Sequence, residues 1–303
     1  MSPHTAARSI GGVHPVLFTF FDHEGRIRED GFEHQVAHCL SAGTPGVVLF
    51  GFVTQFYKLT LAEKLQILDW TSAALSGRAQ LGVTVMEPTL EAQLTLCRAA
   101  EKSGADWLII QPPIGPAVTA EWWLEMIGYL ADRTSLPVAV QNAAIAGTTL
   151  TIEQLLRLQD RHPNVLLCKA ETGLTDVARF AREHGERFRV MTGNWGAEYP
   201  YFAANGAHGF IPAPTFVHEH VKLERLLRGN PDEVREAMRL HGRLLTLIQL
   251  IREVGGVEQQ LLAGKRIYQW QTGYDPGGVR VPGPARLDPT FEQFLEKEME
   301  WLA

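Results

Sequence analysis

Lys169 follows directly on the apolar run 165–168, and Glu171 stands two residues further on. Lysine is among the residues least often buried, and the end of an apolar strand is where an ammonium loses much of its hydration. Desolvation favours the free amine, the form that attacks a carbonyl carbon to give a Schiff base. Taken alone, the stretch also admits a plainer reading, a snorkelling lysine that keeps its head in water. If the strand continues through residue 171, the Glu171 carboxylate falls on the same side as the amine and becomes a candidate for proton transfer. A solvated loop carboxylate is the alternative.

These residues need elements to position them. Short apolar runs recur at 16–20, 47–50, 81–85, 107–110, 137–140, 165–168, 189–192 and 208–211, each followed by a turn and a segment of helical periodicity. Thr60-Leu61-Ala62-Glu63 reads as a capping box, and Thr151 as the cap of another helix. Continuous apolar strands separated by helices predict an α/β fold with an all-parallel sheet covered on its outer face. Eight such units predict a (β/α)8 TIM barrel over 1–230, and no G-x-G-x-x-G motif follows the first run to favour a doubly wound sheet. From residue 231 the pattern is helical, with amphipathic stretches near 232–253, 257–270 and 289–302, and it predicts a C-terminal helical appendage over 231–303.

Functional residues of such a barrel come from the C-terminal ends of the strands and the loops after them. That rule selects Thr19, Gly51, Phe52, Val53, Thr54, Gln55, Gln111, Gln141, Asn142, Lys169, Ala170, Glu171, Gly193, Asn194 and Ile211.

Composition sets bounds. The chain has 303 residues, 45% hydrophobic and 20% charged, as expected of a globular protein with a substantial core. A formal charge of −6 gives no basic footprint for nucleic acid or an anionic membrane surface. The first residues lack the apolar core of a signal peptide and no run has the length of a membrane span, so a cytoplasmic location is expected. Cys39, Cys97 and Cys168 are far apart and read as core residues, not as disulfide partners. In His218-Glu219-His220 the histidines stand at i and i+2, which a helix points to different sides, so no metal is expected there and no cofactor elsewhere.

The residues around the mouth resemble the dihydrodipicolinate synthase and N-acetylneuraminate lyase family of Schiff-base aldolases, over nearly the whole chain. The stretch 16–22 with Gly25 is similar to the family's first strand and turn, and 46–64 to its second strand, glycine loop and capped helix. Lys169 then falls on the family's Schiff-base lysine, Gly193 and Ile211 on its strand-seven glycine and strand-eight isoleucine, and 265–282 on its C-terminal segment. No one of these motifs is distinctive alone; their shared order and spacing carries the resemblance. It implies an enzyme that binds pyruvate or another 2-oxo acid covalently, and a homo-oligomer, dimer or tetramer.

Departures accompany it. Where the family usually reads G-T-T-G-E this chain has Gly51-Phe52-Val53-Thr54-Gln55, so the adjacent hydroxyls that hold a carboxylate are gone. Gln141-Asn142-Ala143-Ala144 stands for Y-N-V-P, and glutamine cannot act as acid or base near neutral pH. The strand-four loop, Pro112-Pro113-Ile114-Gly115, lacks the synthase's relay tyrosine, and Ala146 replaces its arginine. The resemblance therefore implies a divergent branch that keeps the covalent step and is not a true dihydrodipicolinate synthase. Glu171, substrate or water remain for proton transfer; Tyr57 and Tyr199 lie near mouth loops. Asn194 could orient a hydroxyl or carboxylate, while Phe52, Val53 and Trp195 point to an apolar pocket. Two readings stand: a lyase performing aldol chemistry or dehydration, and a non-catalytic binding protein for 2-oxo acids or other small ligands on the same barrel.

Overall fold

A computed structural model describes residues 3–112, 118–143, 147–284, 286–300 and 302. One parallel sheet contains β1 (Gly12–Val13), β2 (Gly46–Leu49), β3 (Gln80–Val85), β4 (Trp107–Ile110), β5 (Val138–Ala143), β6 (Val165–Glu171), β7 (Arg189–Thr192) and β8 (Gly209–Phe210). Its hydrogen-bonded order, β1-β8-β7-β6-β5-β4-β3-β2, follows the chain around the ring. This is the (β/α)8 barrel that the alternation of strands and helices predicts.

The seam between β1 and β2 differs from expectation. Residues 16–20 are buried, but the ladder to β8 lies upstream, at Gly12 and Val13. Pro15 has no N–H to give to a ladder. Closure rests on the bridge Val16↔Val48, with Val48 N donating to Pro15 O at 2.8 Å and Leu17 N to Val48 O at 3.0 Å. Beyond it the backbone is met by a side chain: Phe18 N donates to Gln35 Oε1 at 2.7 Å and Gln35 Nε2 to Phe18 O at 3.0 Å.

Around the sheet run α1 (Pro3–Arg8), α2 (Glu29–Ala42), α3 (Leu61–Leu75), α4 (Leu90–Lys102), α5 (Ala120–Ala131), α6 (Ile152–Arg161), α7 (Leu174–His184), α8 (Tyr199–Ala204) and α9 (Val217–Leu227). Alternate strand residues serve two cores, which explains the unbroken apolar runs. Val48, Ile109, Ala139, Leu167 and Met191 fill the inside, while Val47, Val83, Leu108, Val140 and Cys168 meet the helices. His218 is exposed and His220 buried at the start of α9, on different sides as helical geometry requires. All three cysteines are free and buried.

After the barrel come α10 (Pro231–Glu253), α11 (Val257–Thr272) and α12 (Pro289–Glu300). Leu244, Leu247, Ile251, Ile267 and Leu295 share one apolar cluster with Ala197, Phe216 and Leu223 of the barrel segment, so packing is continuous across residue 230. No helix among the described residues is long and apolar enough to cross a membrane.

Thr60 caps α3 as its sequence predicts: its hydroxyl accepts from Glu63 N at 3.2 Å, and Glu63 Oε2 accepts from Thr60 N at 2.9 Å. Thr60→Ala should lower the unfolding free energy by about 1 kcal/mol. The measurement is the urea midpoint against wild type and Thr60→Ser; three coincident midpoints would mean that the box adds nothing.

Candidate active site

Strand β6 positions the candidate residues because it continues past its apolar run. In parallel register with β5, it pairs Lys169 with Gln141, Ala170 with Asn142 and Ala143 with Glu171. The two-residue repeat then sets Leu167, Lys169 and Glu171 on one face, the inside of the barrel. Lys169 is only 8% exposed. Its Nζ lies 3.3 Å from Glu171 Oε2, and Gln141 Nε2 donates to the same oxygen at 3.1 Å. Gln141 Oε1, itself buried, has no partner among the described residues. Asn142 pins the loop after β5, donating to Leu150 O at 2.8 Å and accepting from Leu150 N at 2.9 Å.

Gly193, just after β7, makes room for this group. A Cβ there would overlap the Glu171 carboxylate and come within 3.2 Å of Lys169 Cε. Beyond it Asn194, Trp195 and Gly196 all have positive φ, 56°, 59° and 80°. Left-handed backbone costs a non-glycine residue about 1–3 kcal/mol and persists only where the surroundings enforce it. Here Asn194 Nδ2 donates to both carboxylate oxygens of Glu198 at 2.7 Å, and the Trp195 ring lies against Gly264 of α11.

Lys169 opens into a cavity of about 390 Å3. Gln141, Lys169, Ala170, Glu171, Gly51, Phe52, Val53, Gly193, Asn194 and Ile211, ten of the residues selected by the strand-end rule, line it together. Thr19 and Thr54 do not, and their assignment to substrate binding is corrected. Both are buried with hydroxyls committed to backbone: Thr19 Oγ1 donates to Thr54 O at 2.6 Å, while Thr54 Oγ1 donates to Leu17 O at 2.8 Å and accepts from Phe50 N at 3.0 Å. They shape the loop instead. Tyr57 and Tyr199 also lie off the wall, their hydroxyls bonded to Glu258 and Glu224, and burial pushes both phenols well above the usual range. Pro113, Ile114, Gly115, Ala144 and Ala146 fall outside the described residues.

The strand-end rule misses α11 and Glu198. Val257, Gln260 and Leu261 of α11 form part of the wall, and Glu198 joins it from the turn after β7. The same helix clamps the loop after β2. Lys265 Nζ donates to Thr19 O at 2.6 Å and Gln55 Oε1 at 2.7 Å, while Gln55 Nε2 donates to Glu258 Oε2 at 3.1 Å. Gln55 is itself left-handed, with φ 55°. Burial pushes the Lys265 ammonium down to about 7. A buried lysine on an amphipathic helix was visible in the sequence only as a polar interruption of an apolar face.

A buried lysine inside the C-terminal mouth of a barrel is the arrangement used by enzymes that act on carbonyl compounds through a lysine amine. Residues 9–260 match the model of the dihydrodipicolinate synthetase family. The chain belongs to that family, and is with it a class I, Schiff-base lyase. The 4-hydroxy-tetrahydrodipicolinate synthase of Methanospirillum hungatei is 26% identical over 300 residues, covering 96% of this chain and 98% of its own. That of Bacillus velezensis is 22% identical over 278 residues, 90% of this chain and 93% of its own. Among solved structures, YagE, a prophage protein of the dihydrodipicolinic acid synthase family from E. coli K12 in complex with pyruvate, aligns with a TM-score of 0.87 at 19% identity, over 97% of this chain and 98% of that one. The synthase of Oceanobacillus iheyensis aligns with a TM-score of 0.87 at 18% identity, over 97% of each chain. These two likenesses speak to the fold alone.

Gly193→Ala should displace Glu171 and lower kcat by about 100-fold, since misplacement on the ångström scale has that effect. Near-wild-type turnover in a folded variant would show that the Glu171 position is not critical. Lys265 gives a pH expectation. Its folded-state value lies below its ordinary 10.5, so between about 7 and 10.5 the unfolded chain binds a proton that the folded chain has released, and this group makes stability rise with pH. Denaturation midpoints taken across that window should rise less steeply in Lys265→Met; identical slopes would refute the assignment.

Proposed function

We propose that the chain takes pyruvate or another 2-oxo acid as a Schiff base on Lys169 and uses the resulting enamine for aldol cleavage or condensation, or for dehydration. The observation that carries this reading is the convergence of Lys169, Glu171 and Gln141 on one side of the cavity. The Lys169 amine adds to C2, and the carbonyl oxygen leaves as water to give an iminium. Glu171 takes the C3 proton, and the C–H pair becomes the enamine double bond. In condensation, C3 of the enamine bonds to an aldehyde carbon, whose π pair moves to oxygen and takes up a proton. Water then hydrolyses the iminium and frees the lysine.

Gln141 cannot donate or accept a proton as acid or base, but it can orient both partners. Its Nε2 fixes Glu171, and its unpartnered Oε1 is a ready acceptor for the hydroxyl of the carbinolamine. Phe52 and Val53 begin a 3-10 turn, where leading backbone N–H groups lack intrahelical acceptors, and these are our candidates for the oxo acid carboxylate. Asn194 and Ile211 complete the substrate-binding set.

We propose further that the reaction is not that of the synthases. Ala146 offers a methyl group where the resemblance expects an arginine, and nothing in it replaces a bidentate grip on a carboxylate. On the family's pattern we read the chain as a homo-oligomer, a dimer or a tetramer.

Incubation with pyruvate and borohydride should give a stable mass increase on the peptide carrying Lys169, absent in Lys169→Ala. No modification with pyruvate, glyoxylate or longer 2-oxo acids would return the chain to a ligand-binding role. Glu171→Gln should still be trapped by borohydride while turning over about 10²- to 10⁴-fold more slowly; unchanged turnover would remove Glu171 from the mechanism.

A further inference from the structure

The enamine needs an electrophile, and the wall beyond Lys169 constrains what that electrophile is. Lys169 is the one cation among the described residues lining the cavity, against two carboxylates, Glu171 and Glu198. Lys169 is already paired with Glu171, and Glu198 is held by Asn194 and by Arg252, whose Nη1 lies 3.7 Å from Glu198 Oε1 outside the wall. The undescribed segments 113–117 and 144–146 contain no charged residue. Uncharged polar groups come from Gln141, Thr172, Asn194 and Gln260, and the large apolar surfaces from Phe52, Val53, Leu174, Trp195, Phe202 and Leu261. Two of these are fixed in place. The Phe52 ring packs edge-on against Phe56 with centroids 5.3 Å apart, and Trp195 is presented by strained backbone.

From this we infer that the second substrate is an uncharged aldehyde with an apolar or aromatic body, seated between Phe52 and Trp195, and that these two side chains determine specificity. This rests on the Schiff-base reading of Lys169. A carboxylated aldehyde entering after the 2-oxo acid would place a second anion near Glu171 and Glu198 with no free cation to receive it, and like charges so placed select against a ligand. An aryl or alkyl body instead displaces water from apolar side chains, and the cavity volume is that of a small-molecule site. The condensation is redox-neutral: aldehyde and 2-oxo acid give a 4-hydroxy-2-oxo acid with no further reactant.

The test has two stages on the full chain. Borohydride trapping with pyruvate first establishes the Lys169 adduct. Benzaldehyde and phenylacetaldehyde are then compared with glyoxylate, succinate semialdehyde and aspartate semialdehyde, reading product by mass spectrometry. The aromatic aldehydes should exceed the carboxylated ones by about 100-fold in kcat/KM. Phe52→Arg should narrow or reverse that ratio among the aldehydes it turns over. An adduct accompanied by equal or better turnover of the carboxylated aldehydes, or by no turnover of any aldehyde, overturns this inference and leaves the Schiff base standing. No adduct at all overturns both.

Discussion

An ammonium and a carboxylate held 3.3 Å apart on one strand, at the edge of a barrel core, set the terms for everything around them. Neither group is cheap to bury, and breaking such a pair leaves the remaining charge without compensation. The protein meets this with a third polar group, Gln141, whose Nε2 binds the shared carboxylate oxygen. It also provides empty space, because Gly193 has no side chain to crowd the pair. The pairing of β5 with β6 to the last residue of each strand keeps the three in register. Below them Val48, Ile109, Ala139, Leu167 and Met191 make most of the interior apolar, with His14 edge-on to Trp107 among them.

The helices after the barrel are part of this arrangement. Through Lys265 and Glu258, α11 holds the backbone of residue 19 and the side chain of Gln55, while its own Val257 and Leu261 face the cavity. Phe52 and Val53 therefore sit on a loop gripped from outside. The buried Lys265 ammonium is stabilised by a carbonyl and an amide oxygen, with the Phe21 ring 5.3 Å away.

The buried place of Lys169 at a strand end was legible because a charged residue directly follows an apolar run, a conflict of the kind in which functional positions are sought. The strand ends were legible for the same reason that the barrel was: two cores demand unbroken apolar strands. Thr54 misled because a hydroxyl in a loop looks the same whether it faces a ligand or its own backbone, and only the fold shows that Leu17 O and Phe50 N engage it. The first strand was shifted because Pro15 and Gln35 act together across the chain, a pairing that local periodicity does not contain. The contribution of α11 was hidden by distance: Leu261 reads as one more apolar helix position, and its place at the mouth depends on how the last helices fold back.

Lys169 and Glu171 share a strand, whereas the surfaces that would discriminate among substrates come from other segments: the loop after β2, the turn after β7 and the start of α11. On the proposed reading, nucleophile and proton acceptor form a single unit whose spacing is set by strand geometry. The selecting surfaces can drift without disturbing it. A chain built this way can exchange what it acts on far more readily than how it acts.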